Sequence, residues 1–154
     1  MSQSSGFDLS KMSTASKILV GAGVLYLIDL FLDWQQVCGG GLCFGASGME
    51  GIGIINLLLV LALLVWEGMA LAGVEVKAPR AVISAGIAGA IVVFTILKIL
   101  VDMEEIAIWA WIGLILAAAI GYGGWMRWQE YKAEAGTSGG SMPPPPGTGG
   151  GFTG

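Results

Sequence analysis

The sequence predicts an all-α fold: a membrane four-helix bundle with both termini on one side and a disordered Gly/Pro-rich C-terminal tail. Three observations predict it. Of the 154 residues, 55% are hydrophobic and 12% charged, against about 25% charged in ordinary soluble domains. Mean hydropathy is +0.80. Four apolar runs, at about 17–36, 51–71, 81–101 and 106–126, approach the roughly 20 residues a helix needs to cross a bilayer. Finally, the basic residues are segregated. Lys11 precedes the first run and Lys17 begins it, Lys77 and Arg80 separate the second from the third, and Arg127 and Lys132 follow the fourth. The connections 37–50 and 102–105 contain no Lys or Arg. Basic loops stay cytoplasmic, so both termini are expected inside a cell membrane and both Lys/Arg-free loops outside.

Composition also excludes functions. The chain has no histidine, the commonest acid–base side chain and a frequent metal ligand. No catalytic constellation, metal set, phosphate loop or cofactor motif is found, so no enzyme activity and no cofactor are expected. A net charge of −4 argues against nucleic acid, which requires a basic surface. The partners expected are the lipid bilayer and either another protein or further copies of the chain.

In chain order, residues 1–16 form a polar, Ser-rich arm. A solvated arm is expected; the alternative is a short interfacial helix with Phe7, Leu9 and Met12 facing lipid. The first predicted helix carries Asp29 and, one turn later, Asp33 beside Trp34. Trp34, Trp109 and Trp111 fall at predicted outer ends and Trp66, Trp125 and Trp128 at inner ends, as interfacial belts do. Cys38 and Cys43 flank a glycine-rich segment on the side where disulfides persist. A loop staple is favoured over a redox pair, because active dithiols use C-x-x-C spacing and a nearby cation.

The second helix places Asn56, Val60, Leu63 and Glu67 on one face. Glu67, next to Trp66, is expected at the inner interface, snorkelled or paired with Lys77 or Arg80. Pro79 suits the start of the third helix. That helix has a small-residue stripe, Ala81, Ala85 and Gly89, and a polar face of Thr95, Lys98 and Asp102. Lys98 has two candidate partners, Asp102 and Asp29. Asp29, Asn56, Thr95 and Lys98 lie at similar depth and form the expected polar intramembrane cluster, since an intramembrane charge needs a partner or water. In the fourth helix Gly113, Ala117 and Gly121 form a second small-residue stripe, suited to packing on the third helix or on another copy. The four-helix domain is expected over 17–132. Residues 133–154, rich in Gly and Pro, read as a disordered cytoplasmic tail.

The segment Ile28-Asp29-Leu30-Phe31-Leu32-Asp33-Trp34 and the aromatic start IWAWIGLILA of the fourth helix resemble small uncharacterised four-helix integral membrane proteins of actinobacteria. That resemblance covers about 10–130. It implies a multi-pass membrane protein and supplies no catalytic residues. The outer cysteine pair also invites comparison with four-helix quinone-linked disulfide generators. Here the spacing is C-x-x-x-x-C and the second outer loop has no cysteine to relay electrons. Three functions follow in order of expectation: a non-enzymatic scaffold or accessory subunit of a membrane complex, a small oligomeric transporter or channel subunit using the polar cluster, and a membrane thiol oxidoreductase.

Overall fold

The computed structural model describes residues 10, 12–74, 77–103 and 106–138. It contains helix α1 (Thr14–Asp29), a hairpin of strands β1 (Asp33–Gly39) and β2 (Leu42–Ser47), and helices α2 (Gly53–Leu71), α3 (Arg80–Val101) and α4 (Ile108–Ser138). The fold is mostly helical, but the hairpin means that it is not strictly all-α.

Three helices are long and apolar enough to cross a membrane: Gly53–Leu71, Arg80–Val101 and Ile108–Thr137. At most 33% of the residues in their most apolar windows are buried, so most of each helix turns an apolar surface outward. Large side chains such as Leu58, Val93 and Ile115 are exposed. This surface is compatible with a membrane protein.

The first helix differs from its predicted span of 17–36. Ser13 caps it, its Oγ accepting from Ser16 N at 3.3 Å, and it ends at Asp29 after 16 residues. At 1.5 Å per residue that is about 24 Å. The chain then extends into β1, which pairs antiparallel with β2. The reversal is a two-residue turn at Gly40 and Gly41, with φ of 62° and 84°. Two consecutive positive φ values define the hairpin turn that glycine favours. Cys38 and Cys43 sit directly opposite each other and form a disulfide, within a strand pair where an open loop was expected.

Two other boundaries differ. Helix α4 runs to Ser138, twelve residues beyond its predicted end at 126, so part of the expected tail is helical. The remainder, 139–154, lies outside the described residues, as do Phe7, Leu9 and most of the expected arm. Met12 is buried at 9% exposure, which removes it from a lipid-facing role.

The core is a shared interior of Leu19, Tyr26, Leu30, Trp34, Val60, Leu63, Ala88, Ile91, Ala110, Ala117 and Ile120. The predicted face of α2 is its buried face: Asn56, Val60, Leu63 and Glu67 all point inward. On α3 the inward line is Ser84, Ala88, Ile91, Thr95 and Lys98. Of the expected stripe, Ala81 and Ala85 are half-buried and Gly89 is exposed; a Cβ on Gly124 of α4 would lie 3.4 Å from the Ala85 Cα. On α4 Gly113 and Ala117 are buried and Gly121 is half-buried. A Cβ on Gly121 would lie 2.8 Å from Val92, and one on Gly124 would lie 2.6 Å from the Ala88 Cβ. These glycines let α4 approach α3 closely.

Trp34 corrects the belt assignment. It is buried at 1% exposure, stands edge-on to Tyr26 at 6.2 Å between centroids, and donates from Nε1 to the Asp29 carbonyl at 3.0 Å. The Trp34 carbonyl accepts from Ala107 N at 2.8 Å. The start of β1 is thus pinned across the ends of α1 and α4.

Candidate functional site

Two polar nodes tie the helices together. The first lies near the start of α1 and α3, the end of α2 and the later part of α4. Glu67 is almost wholly buried, its side chain 2% exposed. Its Oε1 accepts from Ser84 Oγ at 2.6 Å. Its Oε2 accepts from Ser16 Oγ and Arg127 Nη2, each at 3.2 Å. Arg127 Nη2 also contacts Ser16 Oγ, and Arg127 Nη1 lies 3.6 Å from Glu130 Oε2. Each of the four helices gives this node one residue: Ser16, Glu67, Ser84 and Arg127. A buried carboxylate needs both a counter-charge and donors for its oxygens, and here it has both. Glu67 was expected at the interface beside Lys77 or Arg80; its partner is instead Arg127, 60 residues away in sequence.

The second node is nearer the hairpin. Tyr26 Oη and Thr95 Oγ1 are 2.6 Å apart, Asn56 Nδ2 donates to Thr95 Oγ1 at 3.4 Å, and Thr95 Oγ1 donates to the Ile91 carbonyl at 2.7 Å. This node joins α1, α2 and α3. The steps from Ser16 to Tyr26, Glu67 to Asn56, and Ser84 to Thr95 are ten or eleven residues. Helical rise makes that about 15–17 Å. Two tie points at matched spacing reinforce the register of these three helices.

The expected cluster Asp29, Asn56, Thr95 and Lys98 is brought together only in part. Asn56 and Thr95 bond. Lys98 turns away from them to Asp102 Oδ2 at 3.3 Å and the Glu50 carbonyl at 2.9 Å. Of its two candidate partners, Lys98 therefore pairs with Asp102. Asp29, 4% exposed, lies beside Gly113, and its two carboxyl oxygens have no hydrogen-bond partner among the described residues. The Asn56 Oδ1 is likewise unpartnered.

Ser16, Tyr26, Ser84 and Arg127 were missed as site residues, although the signal was present. Stepping three or four residues back from Thr95 passes Ile91 and Ala88 and arrives at Ser84. Stepping forward from Ser16 passes Leu19 and Gly23 and arrives at Tyr26. Stepping from Gly113 passes Ala117, Ile120 and Gly124 and arrives at Arg127. The face rule that located Asn56–Glu67 finds all four when carried to the other helices.

Among the described residues no group of three or more Cys, Asp or Glu side chains is placed to hold a metal ion. No protein-family model, curated protein or solved structure matches the chain.

Proposed function

We propose that the chain is a multi-pass membrane protein, with α1 to α4 all spanning and both termini cytoplasmic, that acts as a non-enzymatic scaffold or accessory subunit of a membrane complex. The observation that carries this reading is the Glu67 node. The best-connected intramembrane ion pair is consumed in holding four helices together, with both carboxylate oxygens occupied. A group spent on cohesion is not free to bind and release a substrate. The likeness to small actinobacterial four-helix proteins belongs to the same proposal.

The orientation has its own test. Leu42 in the hairpin and Thr137 near the end of α4 are both exposed. In a Cys38→Ser/Cys43→Ser background, Leu42→Cys should react with a membrane-impermeant maleimide in intact cells. Thr137→Cys should react only after permeabilisation. Labelling of Thr137→Cys in intact cells overturns the orientation.

A second reading, the small oligomeric transporter or channel subunit, draws on Asp29. Its buried carboxyl oxygens, without partners among the described residues, are what a bound cation or proton needs. The thiol oxidoreductase has less support: Cys38 and Cys43 clip a hairpin whose tip is exposed, and no basic residue flanks them in sequence.

One experiment separates the first two. The scaffold reading expects a stoichiometric protein partner on the full chain purified in mild detergent from its own membrane. It also expects liposomes holding the chain alone to pass protons and monovalent cations no faster than protein-free liposomes. Flux through the chain that Asp29→Asn abolishes, without a fall in thermal stability, establishes the transporter instead.

A further inference from the structure

At the end of the bundle that holds Arg127, the end of α2 and the start of α3 line a pocket of about 480 Å³ that is open to the surface. That is within the range of small-ligand pockets, roughly 300–1,000 Å³. It is lined by Trp66, Met69, Ala70, Gly73, Val74, Lys77 and Arg80. Among the described residues, the polar side chains in that lining are donors: an indole N–H, an ammonium and a guanidinium.

Trp66 Nε1 and Arg80 Nη2 are buried and have no hydrogen-bond partner among the described residues. Buried donors left unpaired are rare in native structures and point to an unseen acceptor. The carbonyls that close α2 are already engaged. Gly73, at φ 74°, donates its N–H to the Ala70 carbonyl at 3.1 Å, and Val74 N donates to the Met69 carbonyl at 3.0 Å. This helix cap engages the carbonyls of two residues that line the pocket. Meanwhile α3 begins at Arg80, and its N-cap, Pro79, makes no side-chain capping bond, so the positive end of a helix dipole adjoins the same turn. The connection 72–80 carries two cations against one carboxylate, Glu75.

We propose that this cavity binds a phosphate-bearing anion, and that the anion is the headgroup of an acidic phospholipid in the leaflet on the side of the termini. Arg80 presents a planar fork that matches two phosphate oxygens, and Lys77 adds a point charge. Trp66 contributes a third donor at the level where indoles sit among headgroups. Cationic pockets between helices on the cytoplasmic side suit such headgroups. The Glu67 node is distinct from the site. It is built from Ser16, Glu67, Ser84 and Arg127, none of which lines the cavity, and the lipid site stands whether the chain is a scaffold or a transporter.

The test uses the full chain, purified in mild detergent, stripped of lipid and offered equal amounts of phosphatidylglycerol and phosphatidylcholine. Bound lipid is read by native mass spectrometry. Wild type should retain phosphatidylglycerol by about thirtyfold over phosphatidylcholine, the scale set by two cations near a headgroup. Lys77→Gln/Arg80→Gln should bring the two lipids to parity, and Trp66→Phe, which keeps an aromatic ring and removes the donor, should lower the preference. Lys132→Gln, outside the cavity on the same side, should leave it unchanged. Inorganic phosphate as competitor separates the two sources of the anion. A preference that survives phosphate assigns the site to the lipid; phosphate bound without lipid preference assigns the pocket to a soluble phosphate and overturns the headgroup. Equal retention of both lipids with no phosphate binding, or a preference unchanged in the double variant, overturns the site altogether.

Discussion

Replacing Arg127 by methionine should destabilise the bundle by about 3–5 kcal/mol, the scale for stranding one member of a buried ion pair. The low end of that range applies, because the Arg127 side chain is 20% exposed and water reaches part of it. The cost falls on Glu67. Its carboxylate, 2% exposed, would keep its two serine donors and lose its only counter-charge among the described residues. Glu67→Gln removes the charge and keeps an acceptor for Ser84, so its effect should be smaller. The double variant Glu67→Met/Arg127→Met should recover most of the loss, since apolar side chains of similar length replace a desolvated pair at little net cost. Thermal unfolding of the full chain in one detergent, followed by circular dichroism, measures all three. A double variant no more stable than Arg127→Met alone removes the pair from its role as the tie between four helices. Ser16→Ala and Ser84→Ala should each cost about 1.5–3 kcal/mol, the worth of one hydrogen bond to a charged group.

The node also shows where sequence reading succeeds and where it stops. The apolar runs placed three of the helices, because a helix long and apolar enough to cross a membrane is visible as a run without any partner. The inward face of α2 was legible because two polar residues, Asn56 and Glu67, marked its ends at helical spacing. The partner of Glu67 was not legible. Lys77 and Arg80 are near it in sequence, but helix packing brings up Arg127 from two helices away. The hairpin was hidden for a different reason. Asp33-Trp34 follows the apolar stretch 18–32 so closely that the run reads as one helix. The contrary signal was local: a pair of glycines, Gly40 and Gly41, between two cysteines that the turn sets opposite each other. Lys98 was bound to find a carboxylate, and which one it found depended on side-chain reach. Asp102, one turn along its own helix, is the partner it takes.

Small-residue stripes give the sharpest contrast between pattern and packing, and Gly113→Ala against Gly89→Ala tests it. In sequence the two positions look alike: each is a glycine in a four-residue repeat on an apolar helix. In the structure they are opposites. A Cβ at Gly113 would lie 2.6 Å from Asp29 Oδ2 and would overlap the Trp34 ring; at Gly89 nothing lies within 4 Å. Trp34 cannot swing clear of an added methyl. Its Nε1 is bonded to the Asp29 carbonyl, its ring meets Tyr26, and on another side a Cβ at Gly48 would lie 2.7 Å from its Nε1. Overpacking of this kind costs about 1–3 kcal/mol, and the alanine's better helix propensity returns at most about 1 kcal/mol. Gly113→Ala should therefore lower the unfolding temperature and loosen the hairpin, with faster amide exchange at Trp34 and Ala107. Gly89→Ala carries the propensity gain without the clash and should hold or raise that temperature. If Gly89 instead packs against a second copy of the chain, its substitution will shift the oligomer distribution in detergent while leaving the monomer's stability alone. A Gly113 variant as stable as wild type would mean that α4 does not press on Trp34, and with that the docking of the hairpin onto the helices would be lost.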